Sequence, residues 1–357
     1  MKRIILLFLL FLFSAFIPVS CASSPLIPVT PSEENVLNIF NWSDYIAPEV
    51  ITAFEEKYNA KINYSTYDSN ESLFAKLRGG NPGYDLIVPT GDYVEIMIKL
   101  GMLEKLNHDN IPNLKNLDDK FLDYFFDPGN QYSAAYQWGT AGIGYNIKET
   151  GGEIDSWTAL FDPKFKNQVA LVEDLRVVLG LVLIYLGEDP NTTDPAVIEK
   201  AKDYLVRQKE VISVFAPDTG QTLLEQGEVD LAVEWSGDIF QVMMDNPDLR
   251  YVIPKEGSIV WVDTLAIPKN APHKELAEKF INFTLEPEIS AQISNYVAYA
   301  TPNKVALEQG LITESDRNNP AIYPPPEVYE RLQYLHDIGE ATILYDDAWT
   351  ELKVSLW

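Results

Sequence analysis

Between Val36 and Val88 short apolar runs alternate with amphipathic stretches, and that order restricts the fold more than any other feature of the chain. Val36–Asn41 (VLNIFN) is a short apolar run that suits a buried strand. Pro48 then fits the first position of a helix, with Val50, Ile51, Phe54 and Tyr58 on one face and Asn59 at its end. Lys61–Tyr67 (KINYSTY) alternates as a second strand. Asp68 or Ser69 is placed to cap the next helix, whose stripe is Leu73, Phe74 and Leu77 and whose stop is Gly79-Gly80. Leu86-Ile87-Val88 is a third strand, broken at Pro89. A β-α-β-α-β order predicts a parallel sheet with helices on both faces, and ligands bind such sheets beyond the carboxyl ends of the strands. Those ends are Asn41–Tyr45 and Pro89–Tyr93, and both carry acids and aromatics.

The later chain repeats the theme without repeating the sequence. Gln168–Val172 reads as a strand ending in Glu173 and Asp174, and Asp230–Val233 as one ending in Glu234–Asp238. Ile259–Asp263 alternates and runs into the apolar Leu265–Ile267, and a last cluster, Tyr296–Asn303, ends in turn residues. Gly139, Gly142 and Gly144 predict a strand where two backbones approach closely, or a crossover between domains.

At the N-terminus Lys2 and Arg3 precede an apolar run, Ile4–Phe13, and then small residues up to Ser20-Cys21. That pattern is a secretory signal over residues 1–20; a membrane-anchor helix is the weaker alternative, because the run is short. Cys21 is the one cysteine of the chain, so no intrachain disulfide forms. Its position after Pro18-Val19-Ser20 resembles the lipobox of bacterial lipoproteins, with Pro18 in place of the usual leucine. Residues 21–35 then read as a flexible, lipid-anchored tether. The remainder is long enough for two domains at roughly 150 residues each. Without residues 1–20 the formal charge is −28, against −26 for the whole chain, which repels nucleic acid and attracts cations. With 46% hydrophobic and 12% aromatic residues it is nonetheless a folding chain.

Little in the chain resembles catalytic apparatus. His108, His273 and His336 are scattered without metal-ligand spacing and read as surface or loop residues, and no GxSxG motif occurs. Paired carboxylates keep a glycosidase open as an alternative. Acids repeatedly accompanied by Trp and Tyr favour a cationic ligand instead. Carboxylates hold protonated amines by charge-assisted hydrogen bonds, and aromatic faces take the methylenes and attract the charge. Sugars use similar residues and are the rival ligand class.

Five segments in order carry a more specific resemblance: NWSDYIAPE (Asn41–Glu49), YSTYDSNE (Tyr64–Glu71), YDLIVPT (Tyr84–Thr90), IPKEGSIVWVDTLAIP (Ile253–Pro268) and ATPN (Ala300–Asn303). From about Val36 to Leu352 the chain resembles the bacterial spermidine- and putrescine-binding components of ABC importers. The resemblance implies a type II periplasmic-binding fold, two α/β lobes, each a mainly parallel sheet flanked by helices, closing on a ligand between them. It implies residues 36–138 and 261–307 in lobe one, and 139–260 and 308–357 in lobe two. The family's contacts fall on Trp42, Ser43, Tyr45, Thr90, Asp174, Trp235, Trp261, Asp263 and Tyr299, with Asp263 as the central amine-binding carboxylate. Asp44 and Asp238 match acids of the putrescine branch, and Leu335 stands where the spermidine branch has a glutamine. Val177 replaces a usual glutamate, and Asp92 supplies an acid where the family has tyrosine or serine. Trp235 and Trp261 are expected to sandwich ligand methylenes. The implied protein is an extracytoplasmic, lipid-anchored monomer that needs no cofactor, catalyses no reaction, and delivers polyamine to permease subunits with a cytoplasmic ATPase.

Overall fold

The computed structural model describes residues 35–356. The expected signal segment and Cys21 lie outside them. Ten strands form one continuous hydrogen-bonded system: β1 (Val36–Trp42), β2 (Lys61–Tyr67), β3 (Leu86–Ile87), β4 (Ser133–Asn146), β5 (Val169–Val172), β6 (Ile212–Ala216), β7 (Leu231–Trp235), β8 (Leu249–Val252), β9 (Ser258–Ala266) and β10 (Leu332–Gln333). Their order is β2-β1-β3-β9-β4-β7-β5-β6, with β8 on β4 and β10 on β9.

Two parallel trios flank a pair of long antiparallel strands. β1 runs parallel to β2 and β3, and β5 runs parallel to β6 and β7. Between the trios β4 and β9 are antiparallel to each other, with Ser133 opposite Ala266 and Thr140 opposite Val260. β9 meets the first trio at Ile87, while the far half of β4, Ala141–Tyr145, meets the second through β7.

The first trio follows the sequence signals. The helix at Pro48–Tyr58 buries Val50 and Phe54 and ends where Asn59 takes a left-handed conformation, φ 48°. Ser69, not Asp68, caps the helix Asn70–Arg78 by accepting from the Ser72 N–H, and Leu73 and Leu77 are its buried stripe. Farther along, the strands differ from the reading. Ile259–Asp263 and the following apolar run are one strand, and all nine residues of β9 are buried because both of its faces are covered. Glu234 and Trp235 belong to β7 rather than following it.

The glycines of β4 make room for side chains. A Cβ at Gly139 would lie 2.6 Å from Trp261 Cζ2, and one at Gly144 2.5 Å from Ile239 Cδ1. Only Gly142 also faces backbone, the Val252 carbonyl, at 2.6 Å.

Buried apolar side chains fall mainly into two clusters. One gathers residues from Leu37 to Trp138 and from Val260 to Ala300; the other gathers Ala141 to Ile259 with Tyr345, Ala348 and Leu352. Ile322 packs in the first cluster and Ile312 packs with Ala291 and Ala306.

Candidate functional site

The carboxyl ends of both parallel trios open on one cleft lined by acids and aromatic side chains. Trp42 ends β1, and Thr90 follows β3 as the residue preceding the helix Gly91–Lys99, whose first turn carries Asp92. Asp174 follows β5 and caps the helix Leu175–Tyr185 by accepting from the Val177 N–H at 2.9 Å. Trp235 ends β7, and Asp238 lies in the first turn of the next helix, Ser236–Asp245. Trp261 and Asp263 project from the shared strand β9. Tyr299 follows Ala298, whose left-handed backbone, φ 58°, ends the helix Pro287–Val297. Strand ends are where backbone pairing stops and side chains are free to face a ligand.

Asp263 is the buried centre. Its carboxylate accepts from the Thr90 hydroxyl at 2.7 Å and from the Tyr45 hydroxyl at 2.8 Å. Asn70 in turn donates to Thr90 Oγ1 at 2.9 Å, which fixes that hydroxyl toward Asp263. The Tyr45 ring is held edge-on between Tyr136 and Tyr299, with centroids 5.5 Å away on each side.

The cleft brings together Trp42, Ser43, Tyr45, Thr90, Asp92, Asp174, Trp235, Asp238, Trp261, Asp263, Tyr299 and Leu335 from the sequence-derived set. Asp44 is the exception. It is exposed in the turn after β1, with a left-handed φ of 46°, and acts on the cleft only through its charge near Asp218 and Asp238. The two tryptophans also differ from expectation. Trp235 and Trp261 meet edge to face, 6.0 Å apart at 86°, so they form a corner and not two parallel walls.

Further lining residues include Glu71, Tyr93, Phe125, Arg176, Asp218 and Tyr334. Glu71 and Asp218 follow the ends of β2 and β6, so the strand-end rule that singles out Trp42 and Thr90 applies to them equally. Phe125 and Tyr334 sit in irregular segments and carry no such signal.

Electrostatically the cleft is a trap for cations. Burial pushes Asp263 up to about 7 against the opposing hydrogen bonds of Thr90 and Tyr45. Asp238 is pushed up to about 8 by burial and then by the charge of Asp218. Asp92 and Asp174 both rise to about 6, chiefly through burial, although Arg176 pulls each down. Asp218 rises to about 6 through burial and the charges of Asp68 and Asp44. Glu71 is pushed up to about 7 by its surroundings and by Asp174, yet it is exposed toward the open mouth, where entering water moderates the shift. Protonated, these groups tolerate one another; a bound cation would let them ionise together.

Comparison with known proteins agrees with this geometry. Residues 49–321 match the family described as bacterial extracellular solute-binding protein. The chain is 37% identical over 324 residues to the spermidine/putrescine-binding periplasmic protein of Salmonella typhimurium, covering 90% of this chain and 92% of that one. Among solved structures it resembles the spermidine/putrescine ABC transporter substrate-binding protein PotD from Streptococcus pneumoniae, at TM-score 0.79 and 34% identity over 90% of this chain and all of that one. It also resembles the Tp0655 (TpPotD) lipoprotein of Treponema pallidum, at TM-score 0.80 and 29% identity over 89% of this chain and 99% of that one. Strand order, the acid-lined cleft and these likenesses agree: the fold is the two-lobed type II periplasmic-binding fold, and the chain belongs to the bacterial extracellular solute-binding proteins, a family of receptors.

Proposed function

We propose that this chain is an extracytoplasmic receptor that binds polyamines, spermidine or putrescine, between its two lobes and delivers them to an ABC importer permease. The carrying observation is the charge of the cleft. Glu71, Asp92, Asp174, Asp218, Asp238 and Asp263 line it with a single cation, Arg176, among aromatic walls. A polyamine supplies ammonium groups for the carboxylates and methylenes for the aromatic corner of Trp235 and Trp261. Asp263, held by Tyr45 and Thr90, takes one ammonium without having to reorient. A sugar offers no charge to relieve the repulsion among the acids. The names of the similar proteins point the same way.

In this reading the first lobe comprises residues 36–138 with 261 to about 330, extended from the expected 307 because Ile322 packs in the first cluster, and the second comprises 139–260 with the remainder. The ligand touches acids of both lobes and so favours the closed arrangement. The receptor catalyses nothing and acts as a monomer. A signal peptide over residues 1–20 and a lipid on Cys21 place it on the outer face of a membrane. The Pro18–Cys21 pattern and the likeness to a lipoprotein support this. Among the described residues no helix is long and apolar enough to cross a membrane.

Calorimetric titration with putrescine, spermidine, maltose and an amino acid tests the reading. Tight binding of at least one polyamine and neither of the others is the expected result. A preference for maltose or the amino acid overturns it.

A further inference from the structure

The acids of the cleft fall into two groups by what acts on them, and the groups are not alike. In one, Asp68 and Asp44 act on Asp218, and Asp218, Asp44 and the Tyr299 hydroxyl act on Asp238, with no cation among them. In the other, Glu71, Asp92 and Asp174 share the cleft wall with Arg176, whose charge acts on both aspartates and on Asp337 outside.

Arg176 is held in place. Its Nη1 donates to the His336 carbonyl at 3.2 Å and its Nη2 to Asn191 Oδ1 at 3.1 Å. Asn191 is itself anchored, accepting from the His336 N–H at 2.8 Å and donating to the Tyr334 carbonyl at 2.8 Å. The guanidinium also lies over the Tyr345 ring, 4.8 Å from its centre. None of these partners is a carboxylate. The guanidinium is therefore fixed by neutral groups while its charge remains available to the acids of the cleft, and an arginine keeps that charge at any working pH.

We propose that Arg176 sets the upper limit of ligand length: its fixed guanidinium takes the place of an outermost ammonium, so that diamines and triamines are admitted and a tetraamine is disfavoured. The proposal rests on the polyamine reading above. The physical basis is like-charge repulsion in a cleft only partly open to water, where screening is weaker than in bulk solution. A short polyamine engages Asp263 and the first group, and leaves Glu71, Asp92 and Asp174 balanced in part by Arg176. A longer one must insert a further ammonium beside a guanidinium that cannot withdraw.

The test is calorimetry of wild type, Arg176→Gln and Arg176→Lys with putrescine, spermidine and spermine at physiological salt. Arg176→Gln is expected to shift the spermine-to-putrescine affinity ratio by about tenfold toward spermine. Arg176→Lys, which keeps the charge, should leave the ratio near the wild-type value. Equal weakening of all three ligands by Arg176→Gln would overturn the proposal and make Arg176 only a clamp for residues 334–336. Should Arg176→Gln fail to fold, Asp92→Asn serves instead. It removes a facing carboxylate, so the ratio should move against spermine, and an unmoved ratio overturns the proposal. A wild type that binds none of the three is a distinct result, which removes the polyamine reading itself and this proposal with it.

Discussion

Tyr45 donates its hydroxyl to Asp263 at 2.8 Å although 218 positions separate them in sequence, and this bond ties the turn after β1 to the shared strand β9. Thr90 completes the arrangement from the other side, so both oxygens of the carboxylate are oriented before any ligand arrives. Such preorganisation reduces the cost of ordering the site on binding.

Asp263→Asn should retain the fold, because the amide keeps the shape and the two hydroxyls can reorient toward it. Affinity for every polyamine should fall by about 2–5 kcal/mol through loss of the buried charge. Circular dichroism checks the fold and calorimetry the affinity. Near-native binding would show that Asp263 serves only to position Tyr45 and Thr90.

The raised carboxyls give opposite pH trends for affinity and stability. Asp263 near 7 and Asp238 near 8 hold protons that the unfolded chain releases above about 4, so the ligand-free protein should lose stability as pH rises from about 4 to 8. Cation binding needs the ionised forms, so affinity should rise at least about tenfold between pH 6 and 8 and then level off. Binding at pH 7 should release protons, visible as a dependence of the measured heat on the buffer. A pH-independent affinity would mean that both groups are already ionised in the empty cleft.

Gly139→Ala places a Cβ 2.6 Å from Trp261 Cζ2 and 2.8 Å from Ser236 Oγ. Trp261 is only 8% exposed and packs on Tyr299 at 5.1 Å, so the indole has little room to withdraw. Denaturation should show a loss of about 1–3 kcal/mol, accompanied by weaker binding. Unchanged affinity would separate the position of Trp261 from recognition.

Lys99 pairs with Glu95 on its own helix and with Asp337, each at 2.8 Å, and so connects that helix to the segment that follows β10. Lys99 is 55% exposed, and exposed pairs contribute less than about 1 kcal/mol. Lys99→Ala should weaken ligand binding about two- to fivefold at low salt and hardly at all near 1 M salt. A large, salt-independent loss would assign Lys99 a role beyond this surface link.

Cys21→Ser should move the protein from the membrane fraction to the soluble fraction or stop its processing, since a diacylglyceryl anchor suffices for stable attachment. Fractionation with sequencing of the mature N-terminus checks this. A wild type found wholly soluble, and beginning at another residue, would make the segment an ordinary secretory signal.

The first trio was legible residue by residue because its signals are local: Pro48, Asn59, Ser69 and Gly79 punctuate elements whose apolar positions repeat at strand and helix periods. The strand-end rule pointed to Trp42, Thr90, Asp92 and Asp174, and the motif resemblance added Asp263 and Tyr299. The glycines Gly139, Gly142 and Gly144 marked a strand within β4, but the local signals could not show its full length, Ser133–Asn146, the longest of the described strands, in which every residue but Asn146 is buried. Strand periodicity reports a half-buried surface, and a strand covered on both faces has none.

The sequence by itself determined the class of element, the acidic character and the identities of most cleft residues, because these depend on neighbours within one strand or one turn. Only the tertiary structure decided that Asp44 stays at the rim, that Trp235 and Trp261 meet at a right angle, and that Arg176 stands among three acids of the cleft. Those relations join segments far apart in the chain. They are set by how the two trios pack across β4 and β9, and the direction of a side chain relative to a distant one leaves no periodic trace in the sequence.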